Sequence, residues 1–198
     1  MISIYNIKPK FQKLLKPILD ILYKGGVTAN MITWGAILLS AITGVLFWIH
    51  PYGKIFLLVP LSLFVRMALN ALDGMMARVY AMQSATGEVL NELGDVVSDF
   101  FIFFPLILLP GINLYIIVGF LFLSLINEFA GVLGKVLKGE RRYDGPMGKS
   151  DRSFLVGACC LTIYFWEGLL PLLNYIFLGA ILLLILSTGA RIKNTFLK

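Results

Sequence analysis

Long apolar runs constrain the fold of this chain more than any other feature of its sequence. Six such runs are separated by short polar connections: Met31 to Ile49, Ile55 to Leu72, Asp95 to Leu109, Ile112 to Leu133, Ser153 to Phe165 and Leu169 to Ala190. A helix needs roughly 20 apolar residues to cross a bilayer, so six crossings would take roughly 120 residues. Because the chain has 198 residues, little is left for a separate soluble domain.

The composition supports a membrane protein. Hydrophobic residues make up 59% of the chain and charged residues 14%, whereas soluble domains have about 45–50% and about 25%. A soluble fold of this length would leave much of that apolar surface in water. The sequence therefore excludes a soluble or disordered chain. The third and fifth runs are too short to cross a bilayer unless their polar flanks continue the helix.

The basic residues predict how the chain is oriented. Most of them precede the first run, lie between the fourth and fifth runs, or follow the sixth: Lys8, Lys10, Lys13, Lys16, Lys24, Lys135, Lys138, Arg141, Arg142, Lys149, Arg152, Arg191, Lys193 and Lys198. Lys and Arg concentrate in cytoplasmic loops, which places both termini and any site near these residues on the cytoplasmic side of an inner membrane. The net charge of +6 is thus explained by orientation and by anionic lipid, and nucleic acid is not expected as a partner.

Residues 1–26 predict an amphipathic helix at the membrane interface. Apolar residues recur there at helical spacing while lysines occupy other positions: Phe11, Leu14, Leu15, Ile18, Leu19 and Leu22. The helix should begin or kink at Pro9 or Pro17, and Thr28 or Asn30 can cap the next helix. The predicted fold class is an all-α integral membrane protein, in which this helix precedes six transmembrane helices within residues 27–198.

Polar residues cluster on the second and third apolar runs, although ionisable groups in membrane spans are costly and usually functional. At helical spacing they form two faces, one with Arg66, Asn70, Asp73, Gly74 and Ala77, the other with Gly87, Asn91, Asp95 and Asp99. Two oxygen-rich faces with small residues between them suit Mg²⁺ and a diphosphate. The alternative is that Arg66 pairs with Asp73, and Arg78 with another acid, only to neutralise buried charge.

The run from Asn70 to Asp95 resembles the signature of the CDP-alcohol phosphotransferases, D-x2-D-G-x2-A-R-x8-G-x3-D-x3-D. Here it reads Asn70, Asp73, Gly74, Ala77, Arg78, Gly87, Asn91 and Asp95 at the same spacing. Asn70 and Asn91 stand where the family has its first and third aspartates. The departure removes two negative charges from a site expected to hold divalent cations.

The resemblance implies a homodimeric membrane enzyme of phospholipid synthesis that transfers a phosphoalcohol group from CDP-diacylglycerol, or a related CDP-alcohol, to an acceptor alcohol and releases CMP. It implies Mg²⁺ or Mn²⁺ as cofactor, Asp73 and Asp95 as metal ligands, and Asp95 as the base. Asn70, Asn91 and the neighbouring Asp99 are further candidate ligands. The implied CDP pocket contains Gly74, Ala77, Arg78 and Gly87, and Asn30 and Thr33 are either helix caps or further nucleotide contacts.

Basic residues before the fifth run and after the sixth are candidates for the acceptor side. Lys149 and Arg152 follow a turn-forming segment, and Arg191 ends the last run. They predict a site for a phosphate or polar headgroup, which slightly favours a phosphorylated polyol, or else they are positive-inside anchors. Glu128, inside the fourth run, should face the bundle and pair with Arg191 or Arg66.

The two asparagines leave alternative interpretations open. The site may bind fewer metals, with Glu88, Glu92 or Asp99 replacing the missing carboxylates. The reaction may instead have changed to hydrolysis of the diphosphate, or the chain may be an inactive accessory subunit that binds CDP-lipid. A small cation transporter is less favoured, because the acids gather at one end of the spans and no polar path crosses the membrane.

Overall fold

Seven α-helices form the fold in the computed structural model, which describes residues 8–197. They are α1 (Lys8–Lys24), α2 (Ala29–Ile49), α3 (Ile55–Val79), α4 (Ala85–Phe103), α5 (Leu114–Lys138), α6 (Lys149–Phe165) and α7 (Leu173–Phe196). Short 3₁₀ helices follow α4 and α6, at Phe104–Leu108 and Glu167–Leu172. Every regular element of the described residues is therefore helical, as predicted.

Helix α1 is present within the predicted N-terminal segment, although residues 1–7 of that segment, like Lys198, lie outside the described residues. Pro17 lies inside this helix. The chain turns at Gly26, which has a φ of 77°, and the Thr28 hydroxyl caps α2 by accepting the N–H of Met31 at 3.3 Å. Leu19 is buried in the contact with α3 while other apolar residues of α1 are exposed. Its position at a membrane interface stays a prediction.

Four helical segments are long and apolar enough to cross a membrane: α2, α3, α5 and the segment Glu167–Phe196 that contains α7. The predicted count of six thus includes two helices, α4 and α6, that do not qualify by length and composition. Helix α4 carries four acidic residues among its 19, and α6 has only 17 residues. The chain is an integral membrane protein with four candidate spans in the described residues.

The helices pack so that polar residues gather at one end of the bundle. Helix α2 packs against α3 and α4, α3 against α6, and α5 against α7. Close approach of α2 and α4 depends on glycine, since a Cβ on Gly44 of α2 would overlap the backbone carbonyl of Phe101 on α4. Large aromatic residues fill the core away from the polar end, including Phe103, Phe120 and Phe177. The apolar core thus fixes the helices whose polar ends form the candidate site.

Candidate active site

Two carboxylates from neighbouring helices come together at the polar end. Asp73 of α3 is buried and accepts a hydrogen bond from the hydroxyl of Thr33 on α2, at 2.9 Å. Asp95 of α4 is partly exposed and accepts a hydrogen bond from the amide nitrogen of Asn70, at 3.2 Å. Asp73 lies within range of electrostatic interaction with both Lys149 and Asp95. The predicted faces of the second and third runs therefore meet.

Two cations neutralise Asp95. The ammonium of Lys149, in the first turn of α6, forms an ion pair with its carboxylate. The guanidinium of Arg66 lies 3.9 Å from the carboxylate and donates a 3.1 Å hydrogen bond to the Asp95 backbone carbonyl. Arg66 also contacts Asp99 at 2.6 Å, so its partners are the acids of α4 and not Asp73. Lys149, predicted on the acceptor side, thus lies directly at Asp95.

Small residues let polar side chains lie against α3 and α4. A Cβ on Gly87 would lie 2.6 Å from the amide oxygen of Asn30, so a larger residue would displace that side chain. A Cβ on Gly74 would lie 3.3 Å from the guanidinium of Arg78, whose side chain folds back over that position. Ala77 packs beside the cluster formed by α1, α2 and α3. These contacts bring Asn30 and Arg78 to the predicted CDP pocket, where nucleotide binding stays a prediction.

A buried carboxylate on α5, Glu128, holds three arginines. Its oxygens lie 3.0 Å from Arg152, 2.6 Å from Arg141 and 3.8 Å from Arg191. The pairing of Glu128 with Arg191 was predicted; the one with Arg66 was not found. Arg152 and Arg191 are each only 1% exposed. Because isolated buried charges are very costly, Glu128 and these arginines depend on one another.

The structure gives three predicted site residues other partners. Arg152 binds Asp99 at 3.0 Å as well as Glu128, and Arg191 donates to the backbone carbonyls of Asn127 and Asp144. Asp99 lies between two guanidinium groups, those of Arg66 and Arg152. Such pairing would compete with metal coordination by Asp99 and with phosphate binding by Arg152 and Arg191, and these roles stay predictions.

The connection between α5 and α6 is fixed to the neighbouring helices. The backbone carbonyl of Asp144 accepts hydrogen bonds from Ser187 at 3.0 Å and Arg191 at 3.3 Å, and its carboxylate accepts one from Asn194 at 2.8 Å. Gly145 has a φ of 87°, and a Cβ there would lie 2.6 Å from the backbone of Ser187. The connection thereby holds the start of α6, and with it Lys149, beside Asp95.

Comparison with known proteins identifies the family. The family model for CDP-alcohol phosphatidyltransferase matches residues 26–188. The chain belongs to this family. Among curated proteins, the Inner membrane protein YnbA of Escherichia coli (strain K12) is 41% identical over 195 residues, which cover 98% of this chain and 97% of that protein.

Solved structures of the same family share the fold. Phosphatidylinositol phosphate synthase (PgsA1) of Mycobacterium tuberculosis with CDP-DAG bound has a TM-score of 0.77 and 18% identity, covering 93% of this chain and 94% of that chain. The same protein in complex with manganese and citrate has a TM-score of 0.75 and 19% identity, covering 91% of this chain and 88% of that chain. The helix arrangement around Asp73 and Asp95 is therefore that of the CDP-alcohol phosphatidyltransferases.

The carboxylate oxygens of Asp73 and Asp95 suit a hard divalent cation whose remaining ligands come from a substrate or water. The described residues contain no group of three or more acidic, histidine or cysteine side chains placed to hold a metal by themselves. The amide nitrogen of Asn70 faces Asp95, which leaves the amide oxygen as a neutral donor. Mg²⁺ and Mn²⁺ accept such oxygen ligands and complete their shells with substrate phosphates or water.

Sequence reasoning did not single out Arg141 as a site residue. It precedes α6 and forms ion pairs with Glu92 of α4 and with Glu128 of α5. Burial alone would lower the pKa of Arg141, but these two carboxylates raise it, so the guanidinium stays charged. The signal in the sequence was the unpaired charge of Glu128 within an apolar run. A buried glutamate predicts a cationic partner, but the sequence does not show which of the several arginines that partner is.

Proposed function

We propose that this protein transfers a phosphatidyl group from CDP-diacylglycerol, or a related CDP-alcohol, to a polar acceptor alcohol and releases CMP. The observation that carries the proposal is the meeting of Asp73 and Asp95 at the polar end of a bundle with this family's fold. A relative of the same fold was crystallised with CDP-DAG. A lipid donor suits the site, because its tails can stay in the bilayer while its diphosphate reaches the polar end.

Different side chains would bind the metal ion and the nucleotide. Asp73 and Asp95, assisted by the amide oxygens of Asn70 and Asn91, would hold Mg²⁺ or Mn²⁺. That ion would supply charge neutralisation at the diphosphate and at the departing CMP. The hydroxyl of Thr33 orients Asp73. Gly74, Ala77, Arg78 and Gly87, with Asn30, would shape the cytidine diphosphate pocket.

Asp95 acts as the base for the acceptor. The acceptor oxygen forms a bond to the phosphorus that carries the diacylglycerol, and its proton passes to the Asp95 carboxylate. The bond from that phosphorus to the bridging oxygen breaks, and CMP leaves with that oxygen. Lys149 and Arg66 form ion pairs with Asp95 and lie where they can stabilise the anionic phosphates.

We further propose six membrane crossings within one domain, residues 27–198. Helix α4, continued by the 3₁₀ helix Phe104–Leu108, and the shorter helix α6 would complete the bundle. Helix α1 would lie in the cytoplasmic interface, with both termini and the site on the cytoplasmic side, as the distribution of Lys and Arg predicts. We expect a homodimer, as in the family that the sequence resembles.

One observation favours a second candidate function. Asn70 and Asn91 reduce the negative charge beside Asp73 and Asp95, which weakens cation binding. A CDP-lipid hydrolase or an inactive CDP-lipid-binding subunit would be consistent with such a site. A transporter has less support, because the buried charges described here lie at one end of the bundle and pair with each other.

The decisive experiment measures CMP release by purified protein in detergent with CDP-diacylglycerol, Mg²⁺ or Mn²⁺ and a panel of alcohols. Transfer predicts CMP release that requires an alcohol and yields a new phospholipid. Acceptor-independent release of CMP with phosphatidic acid would indicate a hydrolase, and CDP-lipid binding without CMP release would indicate the accessory role. The variants Asn70→Asp and Asn91→Asp should lower the Mg²⁺ concentration needed for half-maximal activity, because each restores a carboxylate.

A further inference from the structure

The basic groups near Asp95 belong to one connected set of ion pairs, here called the charge network. Its nine members are Arg66, Glu92, Asp95, Asp99, Glu128, Arg141, Lys149, Arg152 and Arg191. It contains five cations and four carboxylates, and Asp73, close to Lys149, brings the carboxylates to five. Every cation of the network has a carboxylate partner without any ligand.

The arginines are engaged by carboxylates and not open to a ligand. Arg152 is held between Asp99 and Glu128, at 3.0 Å from each. Arg141 is held between Glu92 and Glu128. Arg191 contacts Glu128 at 3.8 Å and donates to two backbone carbonyls. A guanidinium that already binds carboxylates has few donors left for a phosphate.

Binding a phosphorylated acceptor would require these pairs to break. A phosphate that took Arg152 or Arg191 from Glu128 would leave a buried carboxylate, 7% exposed, with fewer counter-ions. It would also add negative charge next to Asp95 and the donor diphosphate. Lys149 is 24% exposed but already pairs with Asp95, and a single ammonium lacks the two-pronged geometry with which arginine binds phosphate.

We infer that the acceptor alcohol carries no phosphate and no net negative charge, because Glu128 and its neighbours occupy the basic groups that would bind one. The inference rests on the proposed transferase function and revises the expectation of a phosphorylated polyol. Glu128 is in this view a specificity-determining residue, which acts through the arginines and not through contact with substrate. The chemical class it admits is a neutral or zwitterionic alcohol.

The first test compares matched acceptor pairs: glycerol with glycerol 3-phosphate, and inositol with inositol 1-phosphate. With CDP-diacylglycerol as donor, kcat/KM should be higher for the unphosphorylated member of each pair that is used, by about 10-fold or more. Equal or faster transfer to the phosphorylated member would overturn the inference while leaving the transferase function intact. Absence of alcohol-dependent CMP release with all four would instead count against the transferase function.

The second test measures binding without turnover. It can therefore contradict the inference about the acceptor independently of the proposed transferase function. Thermal unfolding of the detergent-solubilised protein is measured while glycerol 3-phosphate is titrated without donor. The wild type should show no saturable stabilisation, whereas Glu128→Gln should gain it because the arginines are released. Glu140→Gln removes the same charge from an exposed residue and should behave as wild type.

Either of two results would contradict the inference. Saturable stabilisation of the wild type by glycerol 3-phosphate would show that the arginines are available despite Glu128. A folded Glu128→Gln protein that gains no stabilisation would show that Glu128 does not exclude the anion. Should that variant fail to fold, the wild-type titration still decides the question.

Discussion

The two sets of acidic side chains at the polar end differ in how they are satisfied. Asp73, carried by α3, accepts one neutral hydrogen bond from Thr33, whereas Glu128, carried by α5, meets three guanidinium groups. Asp95 lies between these extremes, with an amide and two cations as partners. A carboxylate with few protein partners retains lone pairs for a cation or a substrate proton. A carboxylate surrounded by arginines serves to hold the structure together.

Removal of the Asp95 carboxylate is expected to give the largest effect on activity. Asp95→Asn keeps the size of the side chain but removes the proposed base, so alcohol-dependent CMP release should fall by about 10²–10⁴-fold. The measurement is the initial rate with saturating CDP-diacylglycerol and an accepted alcohol, with Glu140→Gln as the charge-matched control. Full turnover by Asp95→Asn would mean that another group accepts the proton.

Removal of Glu128 should affect stability more than chemistry. Glu128→Ala leaves Arg152 and Arg191 buried with fewer counter-ions, which should lower the free energy of unfolding by about 3–5 kcal/mol. Chemical denaturation in mixed micelles measures this change. A loss below about 1 kcal/mol is in the range of exposed ion pairs. It would mean that the arginines contribute little to stability, and Glu128 would not differ from Asp73 in the way described.

The difference between the two sets of acids marks the limit of what the sequence could predict. The helical spacing of Asn70, Asp73, Asn91 and Asp95 predicted the two faces, because side chains four residues apart project from the same side of a helix. The family resemblance was predicted from the same residues and is confirmed by the match over residues 26–188. Local patterns of this kind depend on backbone periodicity alone.

Apart from the pair of Glu128 with Arg191, the long-range charge pairs could not be predicted from the sequence. Arg152 and Arg191 were predicted as phosphate ligands because they lie next to polar connections, which stays a prediction, and the sequence did not show that helix packing brings both to Glu128. Asp99 follows Asp95 by one turn and was predicted as a further metal ligand, which stays a prediction; its pairing with Arg66 and Arg152 was not predicted. Partners separated by many residues along the chain are chosen by tertiary packing, which periodicity does not encode.

A smaller effect should follow from loss of the Thr33 hydroxyl. Thr33→Val keeps the shape of the side chain but removes the hydrogen bond that orients Asp73. Groups that orient metal ligands typically change metal affinity by about 10–100-fold, so the Mg²⁺ concentration for half-maximal CMP release should rise by at least the lower of these factors. Thr33→Ser should retain the wild-type value. An unchanged requirement in Thr33→Val would argue that Asp73 is oriented by packing and not by this bond.

The smallest effect is expected where an ion pair joins α4 to α5 in solvent. Glu88 and Lys135 are about half exposed, at 51% and 44% of their side chains. Such pairs contribute about 0–1 kcal/mol, because water competes for both charges and salt screens them. Lys135→Met should therefore change the free energy of unfolding by less than about 1 kcal/mol, and raising the salt concentration should reduce the difference further.

The same denaturation assay used for Glu128→Ala makes the contrast between these ion pairs direct. Both variants remove one charge from an ion pair that involves α5, but only Glu128 is buried among its partners. If Lys135→Met were as destabilising as Glu128→Ala, burial would not explain the strength of the charge network. The argument that the arginines around Glu128 cannot bind phosphate would then fail, because breaking their ion pairs would cost no more free energy than breaking an exposed ion pair.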